Sequence, residues 1–303
     1  MTYTTIDLKN IKLFKRGKVR DIFDLGDKLL MVATDRVSAF DVVLPDAIPH
    51  KGKILNLISA YWFKKLDNIS PNHFITANVN EFPVELSSAE KTMLSQRSSL
   101  VEKGKTIEVE CVVRGYLAGS GWQTYKETGK LLDITLPGDL KQGSKLPEPL
   151  FTPATKSQDG HDINITFAQV KNEVGTWLAQ YLKEKSIKLY RIARDYLYEK
   201  GLILVDTKFE FAVIDDKIKL VDELLTPDSS RLWDKTGYKP GRPQLNFDKQ
   251  YIRDYLISQN WDKAPPAPRL PQHIIKKSTE KYLEAYKKTI GVDYADTDYW
   301  KWR

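Results

Sequence analysis

The chain has 303 residues, of which 41% are hydrophobic and 29% are charged, and its formal net charge is +7. This size allows one or two domains with a sizeable core, and the single cysteine, Cys111, excludes an internal disulfide and fits a reducing, cytoplasmic location. No apolar run is long enough to span a membrane and the N-terminus lacks a signal-peptide core, so we expect neither a membrane protein nor a secreted one.

The sequence carries few of the residues that zinc-dependent or covalent catalysis needs. It has four histidines without the spacing of a zinc site, and it has no GxSxG motif. The positive charge fits either a nucleic-acid binder or an enzyme whose substrates carry phosphates and carboxylates. Since Lys and Arg are interspersed with Asp and Glu along the chain, we favour the enzyme. A basic RNA-binding module is the alternative from another class.

The first half of the chain predicts strands and short loops. Gly26-Asp27 lies between two apolar runs, 23–25 and 29–33, and predicts a hairpin. Residues 54–66 have the apolar spacing of a helix, and residues 106–114 are typical of a buried strand. A loop rich in Pro and Gly follows at 131–151, and loops of that length are usually functional.

The second half mixes helices and strands. Thr166 is a candidate N-cap for a helix whose apolar stripe includes Val170, Val174, Trp177 and Tyr181. A second helix is expected to end at Gly201. Later come a short helix at 248–256, a Pro-rich connector at 260–271 and an amphipathic helix at 272–290. Because helices and strands do not alternate regularly, the predicted fold class is α+β.

An unusually charged hairpin is predicted between residues 201 and 234. Asp206, Lys208 and Glu210 alternate with apolar residues, so they share one face of a strand. The next strand ends in Asp222 and Glu223. Mg²⁺ is bound by one or two carboxylates together with phosphates and water, which makes this face a candidate metal–phosphate site. A solvated, self-paired charged face is the equally weighted alternative.

The turn of this hairpin leaves two registers open. A three-residue loop, 215–217, places Asp222 opposite Glu210. A two-residue loop shifts the pairing by one position and brings Glu223 to that face instead. In either register two or three carboxylates converge.

Four further segments carry candidate ligand-binding residues. The turn RGKVRD at 16–21 presents Gly17, Lys18 and Arg20 to a polyphosphate, or it is an ordinary basic turn. The segment ATDRVSAFD at 33–41 suits a ligand-facing loop, or a surface turn with an ion pair. The polar loop at 151–162 contains Lys156 and Asp162, which suit phosphate and sugar hydroxyls, and it reads equally well as a surface loop.

The remaining segment, ECVVRGYLAGSGW, is the strongest of the four. Arg114 ends an apolar strand and a Gly-rich turn then presents Ser120. Because a buried guanidinium is costly without an anion, we expect Arg114 to bind a phosphate or a carboxylate. Cys111, inside the strand, is expected to be a core residue and not a nucleophile.

Together these segments resemble the SAICAR synthetase family, and more specifically its longer, yeast-like branch. The resemblance covers residues 17–253 and rests on seven motifs in the family's order: GKVRD, ATDRVSAFD, ECVVRGYLAGSGW, FTPATKSQDGHD, LILVDTKFEF, VDELLTPDSSRLWD and DKQYIRD. It implies a two-lobed α+β fold related to ATP-grasp enzymes, with antiparallel sheets and packed helices. The expected lobes are a nucleotide-binding lobe at 1–109 and a substrate- and metal-binding lobe with a helical tail at 110–303.

The resemblance also implies an ATP-dependent ligase of purine biosynthesis. Its members join L-aspartate to the carboxylate of 5-aminoimidazole-4-carboxylate ribonucleotide (CAIR) through an acyl phosphate, giving SAICAR, ADP and phosphate. ATP and Mg²⁺ are the expected cofactors. We expect a cytoplasmic enzyme with small-molecule substrates and no nucleic-acid or membrane partner, and we favour a monomer over a dimer. A related enzyme with another amine or acceptor is the alternative within this class.

By position, the resemblance assigns roles to individual residues. The catalytic junction would hold Asp206, Lys208 and Arg231, and the metal ligands would be Glu210 and Asp222. The nucleotide would be bound by Gly17, Lys18, Arg20 and Glu110, with 106–110 as the hinge under the adenine. The substrates would be bound by Asp35, Arg114, Ser120, Lys156, Asp162, Arg231 and Arg253. Two positions depart from the pattern of the shorter members. Arg20 stands where they carry Lys, and the loop near Gln158, which follows Lys156, differs in length among branches.

Overall fold

The computed structural model describes residues 1–155, 163–247 and 249–294, which form sixteen strands and seven helices. The strands are β1 (Lys12–Arg16), β2 (Arg20–Asp24), β3 (Lys28–Ala33), β4 (Arg36–Ala39), β5 (Val42–Ala47), β6 (Phe74–Thr76), β7 (Ser98–Glu102), β8 (Lys105–Thr106), β9 (Val109–Tyr116), β10 (Lys130–Leu131), β11 (Ile134–Thr135), β12 (Lys145–Phe151), β13 (Ala154–Thr155), β14 (Leu202–Ile214), β15 (Lys217–Val221) and β16 (Ser230–Asp234). The helices are α1 (Lys51–Leu66), α2 (Ser88–Leu94), α3 (Gly119–Thr128), α4 (Phe167–Val174), α5 (Thr176–Glu199), α6 (Gln250–Ser258) and α7 (Gln272–Ile290).

The first sheet is built from the N-terminal third of the chain. Its strand order is β1-β2-β3-β7-β6, with antiparallel neighbours throughout. The predicted hairpin at Gly26 is confirmed as the connection between β2 and β3, and Gly26 has the positive φ of +83° that favours glycine. Phe23, Leu30 and Val32 are buried on one face and form a small core with the N-terminal segment.

The second sheet has β14 at its centre. Its main order is β12-β9-β14-β15, and β16 and β8 also pair with β14. Phe209 and Phe211 point into the large core that contains α5, while Lys208 and Glu210 border a cleft on the other face. The alternation read from the sequence therefore holds in the structure. Both sheets are antiparallel and packed with helices, so the α+β class is confirmed.

The helices largely follow the predictions, with one correction. Thr166 caps α4 and forms a capping box with Gln169, and α7 has the predicted bounds. The predicted stripe across Trp177 is wrong, because Gly175 at φ +84° ends α4 and starts α5 in a new direction. Trp177 is consequently 71% exposed.

The chain passes from the first sheet to the second between Glu102 and Lys105. This crossing lies near the predicted boundary at residue 109, and the division into two lobes stays a prediction. Helix α1 packs against β3, β6 and β7 and also against α7, so the N-terminal part is joined to the C-terminal helix. In the described part of the chain, no helix has the length and apolarity that a bilayer crossing requires.

Candidate active site

The turn of the charged hairpin has two residues. Ile214 pairs with Lys217, and Glu210 therefore lies opposite Val221. Asp215 and Asp216 both have positive φ, 50° and 57°, as a tight hairpin turn requires and as Asp tolerates. The three-residue loop, which would have paired Glu210 with Asp222, is therefore wrong.

The backbone conformation of Asp222 brings its side chain to the site. It follows the last residue of β15 and has φ +71°, which breaks the side-chain alternation of the strand. Its carboxylate accepts a hydrogen bond from Arg20 at 2.8 Å, and Glu223 lies 3.9 Å from the same guanidinium. The predicted convergence of carboxylates is thus confirmed, with both Asp222 and Glu223 present.

Lys208 lies within this group of carboxylates. Its ammonium contacts Glu110 and lies 2.9 Å from Glu210. Burial alone would lower the pKa of Lys208, but Glu210, Glu110 and Asp222 outweigh it and raise that pKa above the usual range. Lys208 is therefore a fixed positive charge and not a general base.

Neighbouring carboxylates also stabilise the charged form of Arg20. Burial opposes its charge, while Asp222, Glu223 and Glu210 raise the pKa of Arg20 further above its usual value. Glu210 and Asp222 thus act on both cations, Arg20 and Lys208, which means that the two carboxylates face one shared space.

A cleft of about 550 Å³ opens between the first sheet and this hairpin. Lys18 contacts Asp41 at its rim, and the Gly17 N–H donates to the Arg20 carbonyl at 2.8 Å, which closes the turn between them. The Gly17 N–H is therefore already used inside the turn. The cleft brings together most of the residues predicted for nucleotide and metal: Gly17, Lys18, Arg20, Glu110, Lys208, Glu210 and Asp222.

The crossing between the two sheets forms one wall of the cleft. Lys103 and Gly104 lie at the crossing, and a Cβ on Gly104 would approach the Ile214 side chain to 2.3 Å and the Val213 carbonyl to 2.8 Å. Only glycine fits this contact between the crossing and β14. The hinge predicted at 106–110 begins just after this crossing, and Thr106 and Glu110 also line the cleft.

A second group of charges lies farther along β14. Asp206 pairs across the sheet with Arg114 on β9 and with Arg231 on β16. Its Oδ2 accepts from Arg114 at 3.0 Å and from Arg231 at 2.5 Å, and Arg114 also donates to Thr152 at 3.1 Å. Burial lowers the pKa of Arg114. Two guanidinium groups and one carboxylate leave an excess positive charge that suits an anion.

The start of α3 completes this second group. A Cβ on Gly119, which has φ +53°, would lie 2.3 Å from Arg231, and a Cβ on Gly121 would lie 3.5 Å from Arg114. Gly119 therefore lets the Arg231 guanidinium approach the first turn of α3, and Arg114 lies in van der Waals distance of the same turn. Ser120 is exposed between these glycines, at the end of the helix that attracts anions.

The other predicted substrate residues are placed less directly. Asp35 is fully buried and accepts from Arg97 at 3.1 Å, from the Gly52 N–H at 3.0 Å and from the Tyr3 N–H at 2.8 Å. In this conformation it holds the N-terminal segment to α1, which leaves no free oxygen for a substrate. Arg253 lies half-buried on α6, and Lys156 and Asp162 lie outside the described residues.

The structure adds a buried pair, Lys51 and Asp228, of which the sequence indicated only Asp228. Asp228, on the loop before β16, lies 2.8 Å from Lys51 and 3.3 Å from Lys249. Asp228 and Lys249 border the cleft. The motif PDSSR pointed to Asp228, but a Lys in the first turn of α1 has no sequence signal for burial.

The donor set fits Mg²⁺ only in part. Carboxylate oxygens are suitable ligands, and Glu210 and Asp222 face one space. However, among residues 1–155, 163–247 and 249–294, no three His, Cys, Asp or Glu side chains are grouped closely enough to hold a metal ion. The arrangement therefore fits an ion that arrives with phosphate ligands, as Mg²⁺ does when it is bound to ATP.

Comparisons with known proteins agree with this architecture. The model of the family described as SAICAR synthetase matches residues 13–268. A phosphoribosylaminoimidazole-succinocarboxamide synthase of Thermodesulfovibrio yellowstonii is 53% identical over 281 residues, which is 93% of this chain and 96% of that protein. Similar proteins include one from Geotalea uraniireducens, 49% identical over 288 residues, which is 95% of this chain and 97% of that protein.

Solved structures give the same result. The SAICAR synthase of Saccharomyces cerevisiae, complexed with SAICAR, is 40% identical with a TM-score of 0.88, covering 97% of this chain and 100% of that one. A SAICAR synthetase of Pyrococcus horikoshii is 27% identical with a TM-score of 0.66, covering 90% and 98%. The greater likeness to the yeast enzyme agrees with the predicted branch. The chain therefore belongs to the SAICAR synthetase family.

Proposed function

We propose that the two charged groups along β14 are the two halves of one active site. As a member of its family, the chain is an ATP-dependent ligase that joins L-aspartate to the carboxylate of CAIR in purine biosynthesis. One observation carries the assignment of the site: Asp206, Lys208 and Glu210 lie on the same strand and connect the Arg114 pocket with the carboxylates beside Arg20.

ATP would occupy the cleft between the two sheets. The adenine would lie beside the crossing at Lys103 and Gly104, and the phosphates would lie near Lys18 and Arg20. Glu210 and Asp222 would hold Mg²⁺, which supplies charge neutralisation on the phosphates and fixes their orientation. Arg20 and Lys208 now contact these carboxylates, and both cations can turn to phosphate oxygens when the nucleotide binds.

CAIR would bind at the other end of β14. Its phosphate suits the first turn of α3, where Ser120 lies between Arg114 and Arg231. Asp206 holds the two guanidinium groups in place. Lys156 and Asp162 remain proposed contacts for the same substrate, and Arg253 is proposed to meet a substrate anion.

The residue types fit a reaction that needs positioning and charge neutralisation but no protein nucleophile. A carboxylate oxygen of CAIR attacks the γ-phosphorus of ATP, ADP leaves, and an acyl phosphate forms. The aspartate amine then attacks the acyl carbon, and the bridging oxygen leaves with the phosphate. Lys208, fixed as a cation between the two halves, would stabilise the charge on the transferred group. Cys111 is fully buried and takes no part.

This route predicts the fate of one oxygen atom. CAIR labelled with ¹⁸O in its carboxylate should transfer one label to the phosphate product, because the bridging oxygen of the acyl phosphate comes from CAIR. SAICAR and ADP without labelled phosphate would contradict the acyl phosphate. No SAICAR from ATP, Mg²⁺, aspartate and CAIR would contradict the function, and a panel of other amines and acceptors would then identify the reaction.

We expect the enzyme to act in the cytoplasm as a monomer on small-molecule substrates, without a nucleic-acid or membrane partner. Size-exclusion chromatography with light-scattering detection would measure the mass of the purified protein, which should be 34.9 kDa for a monomer. A salt-sensitive association with RNA would contradict the absence of a nucleic-acid partner.

A further inference from the structure

A cluster of buried charged and polar groups links the C-terminal helix α7 to the wall of the cleft. The Asp228 cluster consists of Lys51, Asp228, Lys249 and Tyr282. Lys51 and Lys249 lie 2.8 and 3.3 Å from Oδ2 of Asp228, and Tyr282 donates its hydroxyl to Oδ1 at 2.7 Å. The four residues come from α1, the loop before β16, the residue before α6 and the middle of α7, so the cluster exists only in the folded chain.

The cluster is closed toward the core and more open toward the cleft. The side chains of Lys51 and Asp228 are 0% and 2% exposed, and Tyr282 is 2% exposed. Lys249 is 12% exposed and borders the cleft together with Asp228 and Ser229. Of the cluster's charges, the one on Lys249 is therefore the most accessible to a ligand.

Two lysines share one carboxylate within the cluster. Burial opposes ionisation of Asp228, but Lys249 and Lys51 outweigh it and lower the pKa of this carboxyl below its usual range. Burial also lowers the pKa of the enclosed Lys51, whereas Lys249 lies at the cleft. The neighbouring Glu223 carboxylate is engaged by Arg20 and by the Thr226 hydroxyl. A substrate anion in the cleft beside Lys249 would give this ammonium a second negatively charged partner.

We propose that Tyr282 is a positioning residue: by holding Oδ1 of Asp228 it keeps Oδ2 toward Lys249 and so fixes that ammonium for a substrate carboxylate. The inference rests on the proposed function, because a carboxylate of CAIR must meet the transferred phosphoryl group, and the cleft that would hold this group is also lined by Lys249. Asp228 and Lys249 line the cleft together with Glu223, so the cluster lies beside the carboxylates that face Arg20. Tyr282 lies beyond residues 13–268, which the family model matches.

The hydroxyl has a role that ring packing alone does not supply. The ring packs in the core and lies 5.8 Å from the Lys51 ammonium, and phenylalanine would keep both contacts. Without the hydroxyl, Oδ1 is a buried acceptor that must turn toward another donor. The lysines are the nearest cations, so the carboxylate is expected to rotate and Lys249 to lose its fixed position.

Tyr282→Phe tests the proposal, with Ser278→Ala as the matched control. Ser278 lies one turn earlier on α7, and its buried hydroxyl has no hydrogen-bond partner among the described residues. In Tyr282→Phe, the KM for CAIR or for aspartate should rise about tenfold, the loss expected for one hydrogen bond to a charged group. The affinity for ADP, measured by calorimetry, should stay within about twofold, and Ser278→Ala should match wild type in both. An unchanged KM for both carboxylate substrates would overturn the proposal.

A second measurement does not depend on activity. Lysine acetylation, read by mass spectrometry, should become faster at Lys249 in Tyr282→Phe but stay unchanged at the buried Lys281 of α7. Equal acceleration at both lysines would show a general loosening of the helix and overturn the proposal. If wild type made no SAICAR, the proposed function would fail, while the acetylation pattern would still decide the positioning role. Should Tyr282→Phe fail to fold, Asp228→Asn must give the same rise in KM, and an unchanged KM there would overturn the proposal.

Discussion

Asp222 lies 2.8 Å from Arg20, although 202 residues separate them in the chain. The contact joins the end of β15, in the second sheet, to the start of β2, in the first sheet. It brings a carboxylate that suits Mg²⁺ next to a cation that suits phosphate, and both border the same cleft.

Replacing Asp222 with Asn should stop turnover and leave the fold intact. Asn removes the charge that Mg²⁺ needs but tolerates the left-handed backbone at φ +71°. We expect kcat to fall by at least about 100-fold, the size of effect seen when a group that stabilises charge in the transition state is removed. Steady-state kinetics and circular dichroism would measure both properties.

Asp216→Asn is the matched control for this change. It lies in the same hairpin, also has positive φ, and is exposed at the turn. Its activity should equal that of wild type. Near-normal turnover in Asp222→Asn would remove Asp222 from the metal site.

Mg²⁺ should bind this protein together with the nucleotide and not alone. In the described part of the chain, no three acidic, His or Cys side chains are grouped to hold an ion, so we expect the phosphates to supply ligands beside water and the carboxylates. Calorimetry should give little heat when Mg²⁺ is added to the free protein and a clear signal when it is added with ADP. Tight binding of Mg²⁺ to the nucleotide-free protein would contradict the account.

Arg114→Lys should weaken CAIR binding selectively. Arg114 donates to both Asp206 and Thr152, and Lys cannot keep this forked geometry. We expect the KM for CAIR to rise about 10- to 100-fold, as for the loss of a hydrogen bond to a charged group, while the affinity for ADP is unchanged. Arg191→Lys, at an exposed position of α5, is the control and should behave as wild type. Equal losses for ADP and CAIR would refute the assignment of Arg114 to one substrate.

His73 should make the stability of the metal-free protein depend on pH. Burial lowers the pKa of His73 from 6.5 to about 4. Between these pH values the unfolded chain binds more protons than the folded one. The contribution of His73 to stability is therefore complete above pH 6.5 and is lost as the pH falls toward 4. In EDTA, the free energy of unfolding measured with denaturant should fall with decreasing pH more steeply in wild type than in His73→Gln, by up to about 1.4 kcal/mol per pH unit.

The exposed His273 provides the control for this experiment. His273→Gln also removes one imidazole and therefore controls for the substitution itself. The same slope in His73→Gln and in wild type would show that His73 is not the group responsible.

The sequence predicted the residues that alternate along a strand better than those that depend on tertiary contacts. Asp206, Lys208 and Glu210 share one face because strand geometry requires it. The turn length could not be fixed, because Asp215-Asp216 suits either loop and the choice depends on how β15 pairs. Asp222 then enters the site through a left-handed backbone, a local feature that the hydrophobic pattern does not encode.

The Asp228 cluster was missed for a different reason. Lys51 stands in the first turn of a helix, where lysine is normally solvated, and its burial results from α7 packing over α1. The prediction for Trp177 was wrong in the opposite sense: its apolar spacing predicted a buried position, but the helix break at Gly175 leaves it exposed. Both outcomes depend on how distant segments pack, which periodicity within one segment does not report.

A crystal structure with a non-hydrolysable ATP analogue, Mg²⁺ and CAIR would show whether Glu210 and Asp222 hold the metal and whether Arg114 and Arg231 hold CAIR. We predict Mg²⁺ at about 2.1 Å from oxygens of Glu210 and Asp222, with the γ-phosphate turned toward a CAIR molecule held by Arg114 and Arg231. A metal bound away from these two carboxylates, or CAIR bound away from the start of α3, would contradict this prediction.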